Sequence, residues 1–225
     1  MNVLKFGGTS VGTVESLKNV KSIVEALPSD TVVVVSALGG LTDKLIATAR
    51  MAAEDGDWKS EADAIADRHY NIINELVREE RRNDVSSIVS SLIDELRRTY
   101  EGISLIGHLP EKTLNVIVSL GERMSAPIVA GIIHNGHLHN SLDFIKTEKW
   151  FDKNIADAVF TRDLIIKEFS NIEQGPHITG GFISQDRDSG EITNLGRGGS
   201  DYTAALIAAA LDADMLVSGL MSMAL

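Results

Sequence analysis

The 225-residue sequence contains no cysteine. That excludes a disulfide framework, a thiolate nucleophile, cysteine-ligated zinc and an iron–sulfur centre, and makes a reducing cytoplasm the simplest expected compartment. Long apolar runs are also missing. The longest, Ala204 to Leu211, has eight residues, well short of the ~18 that a bilayer span requires, and reads as a core helix. The amino terminus has no basic segment followed by an apolar stretch and a small-residue cleavage site, so nothing in it directs secretion. Positive charge is scarce. Lys and Arg total 21 against 32 Asp and Glu, a net charge of −11, which excludes the basic field that a sequence-independent grip on nucleic acid or an anionic membrane needs. Three catalytic signatures are absent too: a Walker P-loop, a Gly-x-Gly-x-x-Gly run after the first strand, and a serine in a nucleophile-elbow sequence.

What is present reads as an ordinary globular α/β chain, with 44% hydrophobic and 24% charged residues and a size that fits one large domain or two small ones. A chain of this length buries roughly 70% of its unfolded surface, so stability needs neither a disulfide nor a structural metal. Val3 to Phe6 is a short extended segment ending at Gly7-Gly8, after which Val14, Leu17, Val20, Val24 and Leu27 recur at helical spacing until Pro28. Thr31 to Ala37 is apolar almost throughout and β-branched, as suits a parallel strand buried on both faces, and it ends at Gly39-Gly40. Two strand–loop–helix units in the first 55 residues imply a layered α/β sheet. Trp58 to Tyr100 predicts an antiparallel helical pair whose charged turn is Arg78 to Asp84. Thr113 to Ile133 predicts a helix, His137 to Phe144 an extended segment, and Asp152 to Phe169 another helix. His177 to Gln185 and Glu191 to Leu195 flank a turn-rich stretch and predict a β-hairpin, which leads to a loop, Gly196 to Asp201, and then the helix Thr203 to Leu211.

Four places can carry chemistry. Gly196-Arg197-Gly198-Gly199-Ser200-Asp201 precedes a helix, where backbone N–H groups and the helix dipole favour an anion. A tight turn alone explains its glycines, but not the Arg, Ser and Asp set among them. Lys5-Phe6-Gly7-Gly8-Thr9-Ser10 puts a lysine at a strand end before small residues, a pattern suited to a phosphoryl group and equally to a solvent-exposed lysine. Ser36 and Thr42 flank the second glycine pair. Glu122, with Arg123 beside it, interrupts an apolar helix and needs either a salt bridge or a cationic ligand. His134, His137 and His139 cluster around an Asn-Gly turn and read as surface residues rather than metal ligands, while His69, His108 and His177 stand alone.

Taken together, Lys5-Phe-Gly-Gly-Thr-Ser, Val35-Ser-Ala, Leu120-Gly-Glu-Arg-Met-Ser, Gly180-Gly-Phe and Leu195-Gly-Arg-Gly-Gly-Ser-Asp-Tyr-Thr-Ala resemble, in order and spacing, the kinase part of the aspartokinase family, from residue 2 to about Asp214. The resemblance implies a three-layer α/β/α sandwich with a mainly parallel sheet. It also implies transfer of the ATP γ-phosphoryl group, with Mg2+, to the side-chain carboxylate of L-aspartate, giving 4-phospho-L-aspartate, the step that opens lysine, threonine and methionine biosynthesis. Carried over, Lys5 neutralises the phosphoryl group, with Gly7, Gly8, Thr9 and Ser10 and, in the second loop, Gly198 and Gly199 around the phosphates. Asp201 organises the phosphate–magnesium region and the substrate amine. Arg197 clamps a carboxylate of aspartate, Glu122 meets its ammonium, and Ser36, Thr42, Phe182 and Ser200 complete the pocket. No nucleic acid or membrane partner is implied, and a homo-oligomer is compatible with the resemblance. A non-catalytic amino-acid-binding module and another amino-acid or carbamate kinase are the alternatives.

The sequence departs from the family where a Trp-Thr-Asp-Val-Asp-Gly type motif is expected after Asp212-Ala213-Asp214; it reads Ser218 to Leu225 instead. The expectation is a kinase domain over residues 1–225 that is incomplete in its carboxyl-terminal nucleotide lobe, with neither an ACT domain nor a homoserine dehydrogenase domain. Such a chain turns over weakly or not at all and self-associates through uncovered apolar surface. A monodisperse monomer by light scattering counts against that expectation, and so does turnover at the ~1–100 per second of ordinary kinases.

Overall fold

The computed structural model describes residues 1–28, 30–151, 153–170 and 173–219. Strand β1 (Asn2–Phe6) lies between β2 (Thr31–Val35) and β9 (Met215–Ser218), and β6 (His177–Gly180) and β3 (His137–His139) extend the sheet beyond β2. All four pairings in this five-stranded sheet are parallel. Strand side chains alternate between faces, and the core divides accordingly. Leu4, Phe6, Val33, Val35 and Ile178 join one apolar cluster, while Val3, Val32 and Val34 join another on the opposite face. β2 is buried at every position, as its valine run predicts for a strand covered on both faces.

The first face is covered by α1 (Val14–Glu25), α2 (Leu41–Ala53), α3 (Trp58–Leu76), α4 (Glu79–Ile106) and α5 (Glu111–Ile132). The second is covered by the short α6 (Ser141–Phe144), α7 (Ala158–Glu168) and α8 (Gly199–Ala210), through Phe144, Ile165, Ala204 and Ile207. This is the expected three-layer α/β/α arrangement. Several helices begin where a side chain satisfies free N–H groups. Thr13 and Ser16 form a reciprocal capping box on α1, and Asp57 and Asp157 cap α3 and α7. A second sheet of four strands, in the order β5 (Lys153–Ala156), β4 (Lys146–Trp150), β7 (Ile183–Asp186), β8 (Ile192–Asn194), adjoins the first.

Several expected boundaries move. The charged stretch from Arg78 is not a turn: α4 begins at Glu79, so Glu79 and Glu80 sit in its first turn, where the helix dipole favours them. The extended segment from His137 stops at His139 and gives way to α6. The helix expected from Asp152 starts only at Ala158, because Lys153–Ala156 pairs with β4; Asp152 itself lies outside the described residues. The expected strand from His177 breaks at Gly181-Phe182, leaving β6 in the large sheet and β7 paired with β8 as the predicted hairpin. Helix α8 starts at Gly199, so Ser200 and Asp201 belong to its first turn and not to a preceding loop.

In a parallel sheet all carboxyl ends lie on one edge, and ligands bind there. At that edge the β1–α1 and β2–α2 loops touch through glycine backbone. A Cβ on Gly39 would lie 2.9 Å from the carbonyl oxygen of Gly8, and one on Gly12 3.0 Å from the same atom. Both loops hold their spacing only without side chains. Gly39→Ala is therefore expected to destabilise the fold by about 1–3 kcal/mol, lowering Tm by roughly 2–4 °C per kcal/mol in a chain of this size. Gly190→Ala, at a hairpin position with open space around it, is the comparison; it carries only the cost of its positive φ.

Candidate functional site

Lys5 ends β1 with its ammonium 3.0 Å from Asp201 Oδ2, and the Ser218 hydroxyl donates to the other carboxylate oxygen. Three segments far apart in the chain, the ends of β1 and β9 and the first turn of α8, thus meet at one carboxylate. The Ser218 hydroxyl and then the Lys5 ammonium hold Asp201 below the usual carboxylate range against the opposing effect of burial. Lys5 is 12% exposed and Asp201 52% exposed. The carboxylate side of the pair is open to solvent while the lysine is largely covered.

Beside this pair lies a cavity of about 330 Å³. It is lined by Gly8 from the first loop, Ser36 and Thr42 around the second, Glu122 from α5, Phe182 from the β6–β7 junction, and Arg197, Gly198 and Ser200 from the start of α8. The Ser36 hydroxyl donates to that of Ser200 at 3.1 Å, joining the ends of β2 and α8. Phe182 holds a left-handed φ of 67°, fixed by its N–H donating to Thr203 Oγ1 and its carbonyl accepting from Leu195. Gly7, Thr9, Ser10 and Gly199 do not line the cavity. Gly7 lies beside the Lys5 ammonium and Gly199 packs against Phe182 and Leu195, while Ser10 N–H closes a turn onto Gly7 O.

Glu122 dominates the electrostatics. Gly121 lets α5 approach β2 so closely that a Cβ there would lie 2.7 Å from Ala37 Cβ, and this brings Glu122 Oε1 within 3.1 Å of the Ala37 N–H. Oε2 is buried and finds no partner among the described residues. Arg123, the neighbour that could have neutralised it, points to α4 and makes a two-pronged bond with Glu95 at 2.8 and 2.9 Å. Burial pushes the Glu122 carboxyl up to about 7, against the opposing pull of the Ala37 N–H. A buried carboxylate without a cation is costly, and a ligand ammonium would supply one.

Sequence reasoning missed three residues that shape this site. Arg68 on α3 donates from Nη2 to both Gly12 O and Gly39 O at 2.9 Å. Ser125 donates to Ser36 O at 2.8 Å, and Ser218 bonds Asp201. Arg68 and Ser125 act on backbone carbonyls, which no local residue pattern signals, and Ser218 reaches a side chain 17 positions away.

The histidines resolve differently from their expected isolation. His177 is not alone: its Nδ1 lies 2.9 Å from His139 Nε2, its ring stacks on His137, and His139 Nδ1 meets Glu168 at 2.7 Å. The nitrogens of His139 and His177 bond one another, Glu168 and a backbone carbonyl, and among the described residues no group of three or more His, Cys, Asp or Glu could hold a metal ion. A larger hollow of about 410 Å³ lies between α3 and α4. Its Arg97 is paired with Asp63 and Asp94 and no glycine loop enters it, so the smaller cavity is the better candidate. No helix among the described residues is long and apolar enough to cross a membrane.

With this geometry in hand, known proteins provide a comparison. The model of the amino acid kinase family matches residues 1–219. The chain is 30% identical to the chloroplastic aspartokinase 2 of Arabidopsis thaliana over 222 residues, covering 93% of this chain and 40% of that protein. It is 31% identical to the lysine-sensitive aspartokinase 3 of Escherichia coli, covering 94% of this chain and 46% of that one. The crystal structure of E. coli aspartokinase III with aspartate and ADP superimposes with a TM-score of 0.86 at 29% identity, over 97% of this chain and 48% of that one. The chain thus spans less than half the length of these relatives.

Glu122 also sets a pH dependence. Its folded pKa lies above its unfolded value of 4.5, so the folded state binds the extra proton between pH 4.5 and about 7, and the stability that this proton provides is lost as pH rises through that window. Glu122→Gln is expected to remove that slope, stabilising the ligand-free protein at pH 8 by up to about 3 kcal/mol and by little at pH 5. Denaturant unfolding of both proteins at the two pH values checks it.

Proposed function

The chain belongs to the amino acid kinase family, and from that premise we propose that it carries the catalytic site of an aspartate kinase, moving the γ-phosphoryl group of ATP to the side-chain carboxylate of L-aspartate. The observation that carries this reading is Glu122, a buried carboxylate with one oxygen lacking a partner among the described residues, lining a cavity that Arg197 also lines beside Lys5. An α-amino acid with a second carboxylate matches these three features. Its ammonium neutralises Glu122, its α-carboxylate takes the planar fork of Arg197, and its side-chain carboxylate is left facing the lysine.

The acceptor carboxylate is already ionised at neutral pH, so no general base is needed. One of its oxygens attacks the γ-phosphorus as the bond to the ADP oxygen breaks, and no proton moves. Lys5 neutralises the charge that spreads over the transferring oxygens, while the N–H groups of the first glycine loop hold them in place. Magnesium takes few protein ligands when phosphates and water complete its shell. The half-exposed carboxylate of Asp201 fits that need; a metal bound there supplies further charge neutralisation.

Calorimetric titration with L-aspartate, and ADP release with and without it, test the reading. Aspartate is expected to bind more weakly as pH falls below about 7, since only the ionised Glu122 accepts an ammonium, with a limiting slope of about tenfold per pH unit. Arg197→Ala weakens aspartate by about tenfold or more. Lys5→Met lowers aspartate-dependent ADP release on the order of 100-fold and leaves aspartate affinity nearly unchanged. Preference for acetylglutamate, glutamate, uridylate or carbamate over aspartate, or no aspartate binding, overturns it.

A further inference from the structure

The two loops that meet at the sheet edge bring different partners to the proposed reaction. The β1–α1 loop carries the donors next to Lys5, and the β2–α2 loop carries Ser36 and leads into Thr42 in the first turn of α2, both in the amino-acid cavity. Their relative position decides whether acceptor and phosphoryl group line up. At their contact Gly8, Gly12 and Gly39 meet backbone to backbone. A bridge between the two loops comes from outside both. The two hydrogens of Arg68 Nη2 go one to each loop, to Gly12 O and to Gly39 O, both at 2.9 Å. A charged donor makes such bonds about twice as strong as neutral ones. Helix α5 secures the second loop, whose Ala37 N–H donates to Glu122 and whose Ser36 carbonyl accepts from Ser125.

We infer that Arg68 is a positioning residue that sets the distance between the phosphate loop and the amino-acid loop, acting through the carbonyls of Gly12 and Gly39 and touching neither substrate. The inference rests on the kinase reading for its catalytic consequence, but not for its structural one. Each loop keeps its own anchors without Arg68, the first through the capping box at Thr13 and the second through Glu122 and Ser125. Binding of each ligand alone therefore survives, and alignment of the two does not. A misplacement of about 1 Å costs up to 100-fold in rate.

The test compares the wild-type chain with Arg68→Ala and Arg68→Lys, and with Arg68→Ala supplied with millimolar guanidinium ion. Amide hydrogen exchange is expected to speed up in residues 7–13 and 36–42 together in Arg68→Ala, while the strands of the large sheet stay protected. Aspartate-dependent ADP release falls by about 10–100-fold with the aspartate dissociation constant changed less than about threefold. Guanidinium restores both readouts, and Arg68→Lys restores them in part, because an ammonium can also donate to two carbonyls. Exchange that rises in one loop only or in neither, a loss of affinity equal to the loss of rate, or no recovery with guanidinium overturns the inference. A wild-type chain that does not bind aspartate overturns the kinase reading instead; the exchange pattern and its recovery by guanidinium still decide the role of Arg68.

Discussion

The contact between the backbones of Gly8, Gly12 and Gly39 is the constraint on which the rest of this edge depends. Two loops that each follow a buried parallel strand are brought so close that a single methyl group would separate them. The sheet supplies the starting points, because β1 and β2 pair in register with Phe6 opposite Val35, and the loops leave from the same level. Everything placed around the cavity inherits that spacing: Lys5 at the end of one strand, Ser36 just past the end of the other, and the helices whose first turns face both.

The same economy of space explains why Glu122 is held in an unfavourable setting. Close approach of α5 through Gly121 puts its carboxylate against the end of β2, where one oxygen is satisfied and the other is not. Arg123 is committed to Glu95 and gives no relief. The opposite choice is made at Asp201, whose two oxygens are both engaged by the protein itself.

Much of the fold was legible because buried parallel strands advertise themselves. The valines of β2 and the apolar stripes of α1 to α5 needed only periodicity. What failed was decided by partners distant in sequence. Lys153–Ala156 reads as the start of a helix until β4 is there to pair with it, and three glycines hide the fact that α8 already begins at Gly199. In the site, a lone carboxylate in an apolar helix drew attention to Glu122, and glycines among charged residues drew attention to Arg197 and Asp201. Arg68 gave no such signal. On α3 it is one polar residue among many on an amphipathic helix, and its partners are carbonyl groups, which every residue has.

The pairing of Lys5 with Asp201 spans 196 positions of the chain, and β1 waits somewhat longer for β9. On a ribosome that adds roughly 5–20 residues per second, this interval lasts on the order of 10–40 s. Throughout it the nascent chain can pair β1 with β2, but the other edge of β1 presents unsatisfied N–H and C=O groups. A strand destined for the interior of the sheet thus begins as an exposed edge, and the arrival of β9 closes that edge in the same movement that brings Ser218 to Asp201.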